Sequence, residues 1–295
     1  PVSINRTVPV DVKMTPATIS GEVVIVEVAR MAMKKDQTGT IKNISSEQLE
    51  MLPIESLGAV VNMQAGVVEG HFRGGRSTEV SYMIDGVAVD ETFGGQFAAV
   101  EIEPESIKDL EVITGTFNAE YGRAMSGVVN AVTKDGGKDF EGSFSTGLAD
   151  YFTSNDTIFP GINESAVNRN EDYKFQLSGP IVGEKITFFI NTRYQINRNH
   201  LNAVRRYNVD DYSDYTAETP AEWITNNTGD GKYVAMNGSE NKSLLGKISI
   251  NAFSGGKLSF LHSINRDRWD GYNHSYKYNP DGVSSSYRET DFTVI

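Results

Sequence analysis

The chain has 295 residues, a formal net charge of −12 and no cysteine. That length can bury a core and suits one large or two ordinary domains; the acidic balance argues against a nucleic-acid surface, which needs clustered Lys and Arg. Disulfides, thiolate nucleophiles and cysteine-ligated zinc are excluded, and no apolar run approaches the ~20 residues of a spanning helix, which leaves membrane strands of ~10 alternating residues open.

Pro1 has no methionine before it and no signal peptide is visible, as expected of a mature secreted chain or an internal fragment. Val2 to Met14 alternates like one strand and loses regularity around Pro16, so it reads as a strand or a disordered leader. Glu22, Val23, Val24, Ile25, Val26, Glu27 and Val28 form a β-branched run. An unpaired strand of this kind is a template for β-augmentation, in which another protein's sheet edge captures its main chain; the alternative is an ordinary edge strand. Thr40 to Ile44 reads as a short strand. Ser45 or Ser46 can cap a helix starting at Glu47, and a second helix is expected from Ile54 to Met63, with Pro53 between them and a stop near Gly66.

From His71 the turn signals become dense. His71-Phe72-Arg73-Gly74-Gly75 runs into two glycines that permit positive φ or close packing. Glu79 to Val89 contains two β-prone runs joined at Asp85-Gly86, a hairpin signal because a type I′ turn needs positive φ at both centres. After Phe93-Gly94-Gly95, Pro104 to Leu110 reads as one helical turn feeding the strand Glu111-Val112-Ile113. Glu120-Tyr121-Gly122 and Ser126 to Lys134 close the stretch.

In this order the motifs resemble the plug domain of TonB-dependent outer-membrane receptors, over roughly positions 22 to 138. That resemblance implies an α+β plug followed by antiparallel transmembrane β-barrel strands, and the domains 1–21 (a leader, or the end of an N-terminal β-sandwich), 22–30, 31–138 and 139–295. It places the TonB-binding box at Glu22 to Val28. It makes Arg73, Gly74, Gly75, Asp85 and Gly86 plug motif residues, with Arg73 expected to be buried and paired with an acid of the plug or inner barrel wall. The loop after the hairpin, with Glu91, Thr92, Phe93, Gln96 and Phe97, is expected at the substrate-facing apex.

From Phe140 the period becomes two. Phe140, Phe144 and Leu148 alternate with polar residues, as do Tyr173, Phe175 and Leu177. Ile186, Phe188, Ile190, Thr192, Tyr194 and Ile196 alternate with Thr187, Phe189, Asn191, Arg193, Gln195 and Asn197, which predicts lipid-facing Phe188, Ile190 and Ile196 and lumen-facing Arg193 and Gln195. Ile248 and Ile250 alternate with Lys247 and Ser249; Leu258, Phe260 and Ile264 follow, with Leu261 breaking the pattern. Gly179 to Glu184 and Ser254 to Gly256 read as tight turns, whereas 150–171, 198–242 and 268–286 read as long polar loops, the asymmetry of an outer-membrane barrel. About six strands cannot wrap a plug, and receptors of this kind use about twenty-two, so the barrel is expected to be incomplete in this chain.

The four histidines lack metal-ligand spacing, the acidic run Val209 to Asp214 lacks an EF-hand pattern, and no nucleophile motif is present. No enzyme, cofactor or metal is therefore expected. The expected function is import of a scarce nutrient through a plugged barrel in the outer membrane of a Gram-negative bacterium, gated by TonB with its inner-membrane energising complex. Expected partners are TonB, outer-membrane lipid and an unidentified nutrient. The motif marking the branch that works with a surface lipoprotein is absent, so that partner stays open. The alternative is a plug-like interaction protein that seals or scaffolds another pore.

Overall fold

The computed structural model describes residues 40–52, 54, 56–89, 100–115, 121, 124–162, 169–253 and 256–295. Its N-terminal α+β part begins with β1 (Thr40–Ser45), α1 (Ser46–Met51) and α2 (Leu57–Asn62). Ser45 caps α1 through a box with Gln48, and the Ser56 hydroxyl accepts from Ala59 N at 3.2 Å at the start of α2. That cap places the start of the second helix at Leu57 rather than Ile54. Short strands β2 (Val67–Val68) and β3 (His71–Phe72) pair with each other. The hairpin follows as β4 (Val80–Ile84) and β5 (Val87–Ala88), with φ +48° at Asp85 and +81° at Gly86, the two positive values a type I′ turn requires.

β6 (Ile107–Thr114) and β7 (Gly127–Thr133) complete a five-stranded sheet in the order β1-β6-β7-β4-β5. The helical turn expected over 104–110 is only a 3₁₀ turn at Pro104–Ser106, after which the chain is already strand. Ile107 and Leu110 are fully buried in the sheet's core, and tertiary burial overrides the helical local signal. Leu49, Val60, Val61, Phe72, Ile84, Val112 and Val129 belong to the same core.

The remainder is dominated by β8 (Glu141–Ala149), β9 (Asn170–Val182) and β10 (Ile186–Asn197). The loop that follows carries its own small pairs: β11 (Leu201–Val204) with β14 (Tyr233–Met236), and β12 (Ser213–Asp214) with β13 (Ile224–Thr225). β15 (Ser239–Phe253), β16 (Gly256–Asp270) and β17 (Ser285–Val294) complete a large antiparallel sheet in the order β17-β16-β15-β10-β9-β8. These strands reach further than the alternation suggests. β15 begins at Ser239, β16 continues to Asp270, and β9 runs through Pro180, the register shifting between Ile186 and Thr187 opposite it. A shifted ladder tolerates a residue without an N–H, so the turn shrinks to Gly183–Lys185.

The two faces of the large sheet differ. Phe144, Phe175, Leu244, Ile248, Leu258 and Phe260 are exposed on the outer face, with Phe188 and Ile190 among them in register. Towards the long loops this apolar band ends at Tyr173 and Tyr194, whose rings stack with centroids 6.4 Å apart, their hydroxyls on Glu171 and Glu240. From Ile186 to Tyr194 the band measures roughly 26 Å along the strand at ~3.3 Å per residue, the height of a bilayer-facing barrel band edged by aromatics. The inner face presents Thr187, Asn191, Arg193, Lys247, Ser249, Ser263 and Asn265, all buried. Phe189 and Leu261, which belong to that face, are 1% exposed and join the core of the α+β part with Leu245. Leu261 therefore keeps the alternation; it is an inward position filled by an apolar side chain.

The glycines at 75 and 127 mark close approaches. A Cβ at Gly127 would overlap the Phe72 ring, and one at Gly75 would overlap Ser126. Gly127→Ala should therefore cost about 1–3 kcal/mol through overpacking, read as a lower urea midpoint for the detergent-folded protein. An unchanged midpoint would mean that Phe72 moves aside freely.

Candidate functional site

Glu22 to Val28 and the loop residues Glu91, Thr92, Phe93, Gln96 and Phe97 lie outside the described residues. The other sequence-predicted residues are placed. Arg73 (φ +49°) and Gly74 (φ +81°) form a turn after β3, and Arg73 is exposed, not buried as expected. The side chain that β3 buries is the neighbouring Phe72, and the Arg73 guanidinium lies along Gly115, where a Cβ would come within 2.7 Å of it. Asp85 and Gly86 form the hairpin turn, and the Asp85 side chain turns back onto β7. Its Oδ1 accepts from Thr133 N at 2.8 Å and its Oδ2 from Thr133 Oγ1 at 2.7 Å.

Two polar clusters join the α+β part to the inner face of the large sheet. The first surrounds Lys247 of β15, which is buried. Its Nζ donates to Asp85 Oδ2 at 3.0 Å and Thr133 Oγ1 at 2.9 Å, and lies 3.2 Å from Asp135 Oδ1. Asp135 also accepts from Ser249 Oγ at 2.7 Å and Lys257 Nζ at 2.6 Å. Burial alone would push the Asp135 carboxyl up, but the hydrogen bonds from Lys257 and Ser249, with the charge of Lys247, outweigh it and hold the group at about 2. Gly136 beside it lies against the main chain of β10 and β9, and a Cβ there would overlap Phe188 O.

The second cluster gathers round Glu101-Ile102-Glu103-Pro104-Glu105, just before β6. Lys174 Nζ of β9 donates to Glu105 Oε1 at 2.7 Å, and Arg193 Nη1 of β10 to Glu103 Oε2 at 3.1 Å. Ser243 Oγ of β15 donates to Glu103 Oε1 at 3.1 Å, and Asn265 Nδ2 of β16 to the Glu101 carbonyl at 3.0 Å. Lys174, Arg193, Ser243 and Asn265 pair in sequence across four adjacent strands, so the cluster is a single cross-strand row. Arg288 of β17 reaches Glu101 more loosely, at 3.4 Å. Burial raises the Glu103 carboxyl above its ordinary value, with Arg193 and Ser243 offsetting only part of the effect.

The inward placement of Arg193 follows from period two, but Glu101, Glu103, Glu105, Asp135 and Lys247 were not read as partners. The signal in the sequence is the spacing of the acids at 101, 103 and 105, which puts three carboxylates on one short segment ahead of β6. Among the described residues no cluster of His, Cys, Asp or Glu is arranged to hold a metal ion. What the arrangement can do is hold: each cluster is a set of largely charge-assisted hydrogen bonds between the α+β part and the large sheet.

Comparisons with known proteins bear on the family and the fold. Residues 33–129 match the family described as TonB-dependent Receptor Plug Domain. The TonB-dependent transporter Oar of Myxococcus xanthus is 29% identical over 236 residues, covering 70% of this chain and 21% of that protein. Among solved structures, the siderophore receptor PirA of Pseudomonas aeruginosa superposes with a TM-score of 0.51 at 20% identity, over 79% of this chain and 35% of that one. A mutant of the ferric enterobactin receptor PfeA of the same organism gives a TM-score of 0.53 at 17% identity, over 85% and 37%. The chain therefore spans about a fifth of the first relative and just over a third of these structures, and the structural likenesses establish the shared fold.

Two outcomes test the Lys247 cluster. Lys247→Met leaves Asp85 and Asp135 without their buried cation and should cost about 3 kcal/mol or more, whereas the same change at half-exposed Lys257 should cost under about 1 kcal/mol; urea midpoints in detergent decide. For pH, the Asp135 carboxyl is depressed, so the unfolded chain binds more protons and stability rises with pH through this window. Its contribution is complete above the ordinary value of 3.8 and is lost as pH falls towards about 2. Asp135→Asn should flatten that part of the acid profile; an unchanged slope would exclude Asp135 as its source.

Proposed function

We propose, from the premise that this chain carries a TonB-dependent receptor plug domain seated against the opening strands of its outer-membrane barrel, that the whole protein imports a scarce nutrient and that the plug closes the pore. In this reading residues 1–21 lead, 22–30 bind TonB, 31–138 are the plug and 139–295 are barrel strands. The observation that carries it is the pairing of two features on one sheet: an outward apolar band ending in tyrosines, and an inward polar row fastened to the α+β part. A soluble sandwich has no use for the first, and an empty channel no use for the second.

As an extended strand the β-branched sequence Glu22 to Val28 would offer main-chain donors and acceptors with side chains alternating between two faces, which suits capture by a partner's sheet edge. The loop of Glu91, Thr92, Phe93, Gln96 and Phe97 contacts the solute from the plug apex in the same proposal; its two aromatic side chains would supply contact area. The siderophore receptors sharing the fold support uptake through a plugged barrel and leave the solute of this protein open.

The decisive experiment is Val26→Pro in the complete receptor. Proline removes one main-chain donor and fixes φ, so TonB pull-down and energised uptake should be lost while expression and outer-membrane assembly remain near wild type; Val26→Ala should retain both activities. TonB capture at the wild-type level in Val26→Pro would put the coupling site elsewhere.

A further inference from the structure

Two rows of the barrel wall hold the plug in chemically different ways, and the difference decides which can let go. In the row nearer the long loops, Arg193 donates through Nε and Nη2 to Asp172 of the neighbouring wall strand, at 2.8 and 2.7 Å, while Nη1 reaches plug Glu103 at 3.1 Å. When Glu103 leaves, the guanidinium keeps its two-pronged wall partner, and Lys174, which loses Glu105, has a side chain 22% exposed that water can reach. Burial already favours the neutral form of Glu103, which lowers the electrostatic cost of breaking its side of the pair. Space exists as well. A cavity of about 250 Å³ lies here, lined by Ser56, Glu103, Arg193, Gln195, Ser243 and Asn265 among others.

The row nearer the short turns is the opposite. The partners of Lys247 given by the geometry are Asp85, Thr133 and Asp135, all on the plug or the segment that leaves it. Withdrawing them strands an ammonium whose side chain is only 4% exposed. Phe189 and Leu261 flank Lys247 in register on β10 and β16, and both bury against the plug core. Separation at this level therefore opposes both desolvated charge and apolar contact.

We propose that the plug is fastened asymmetrically: Glu101–Glu105 is a releasable latch whose departure opens the cavity against β10, β15 and β16 as the start of a passage for a polar, hydrated solute, while the Asp85–Lys247–Asp135 cluster stays closed as a fixed anchor. This deepens the receptor function above and rests on it for the purpose of the opening. The lining suits such a solute, being carboxylates, amides, two hydroxyls, a guanidinium and an ammonium, with Ile102 the one apolar residue among them.

The chain has no cysteine, so an introduced thiol is the sole labelling site within it. Ser243 and Ser249 form a matched pair on β15: each donates to a plug-side carboxylate, Glu103 at 3.1 Å and Asp135 at 2.7 Å. The probe is fluorescein maleimide, applied to cells carrying the complete receptor, with and without a protonophore. Energised cells should label Ser243→Cys about tenfold faster or more, the scale of one charge-assisted hydrogen bond, with Ser249→Cys unchanged. Adding Glu103→Gln should expose Ser243→Cys selectively even with the protonophore present; should that variant fail to assemble, Arg193→Lys carries the same comparison. Equal acceleration at both serines, as in departure of the whole plug, would overturn the proposal, as would continued protection of Ser243→Cys under every condition. Selective exposure by Glu103→Gln without any protonophore effect would uphold the latch and overturn the energised-transport reading instead.

Discussion

A lysine ammonium inside a protein wall is tolerable only where carboxylates and hydroxyls replace its water. Lys247 meets that condition through three separate pieces of the plug: the hairpin turn at Asp85, the last sheet strand at Thr133 and the outgoing segment at Asp135. All three must be in place before β15 can bury that side chain. Seating of the plug is thus coupled to completion of the wall through a single group, and the type I′ turn has two duties. Its positive φ values reverse the chain, and the reversed turn delivers the Asp85 carboxylate to Thr133 and Lys247 together.

The same economy links the other plug motifs. Phe72 lies over Gly127, Gly75 against Ser126 and Arg73 along Gly115. The glycines of one motif are the spaces into which another motif's side chains fit. This explains in physical terms why the motifs are informative only as a set. A lone Arg-Gly-Gly specifies a turn, whereas the set specifies a packing arrangement among β3, β6 and β7.

Much of the architecture was legible because it rests on period. Alternation over Ile186–Asn197 gave both the strand and its inward face, and Asp85-Gly86 gave the hairpin with its turn type. What was not legible depends on which body covers the inward face. Leu261 reads as a break in the pattern, yet it is an inward position like Phe189, and both are apolar because a plug core lies opposite them. Pro104-Glu105-Ser106 carries a helix-start signal, yet the buried sheet claims the chain from Ile107. Arg73 was expected to be buried, but the backbone turns there and Phe72 takes the interior position. Long-range partnership, such as Arg193 with Glu103, leaves no local mark beyond the spacing of the acids.

The wall therefore divides by row into a wet level and a dry one. At Lys174, Arg193, Ser243 and Asn265 every inward side chain is polar and every plug partner lies on the one short segment Glu101–Glu105. Four residues nearer the short turns along β10, the row of Phe189, Lys247, Leu261 and Val294 places one buried charge among apolar side chains that pack on the plug core. Water can replace the plug's hydrogen bonds at the wet level almost one for one, so separation there costs little net energy per bond. At the dry level the same water finds apolar surface, at roughly 25 cal/mol per Å² exposed, and an ammonium that has lost its counter-charges. A force or ligand acting on this plug thus meets the least resistance beside the long loops and the most beside the short turns, and that gradient is set by which side chains share a cross-strand row.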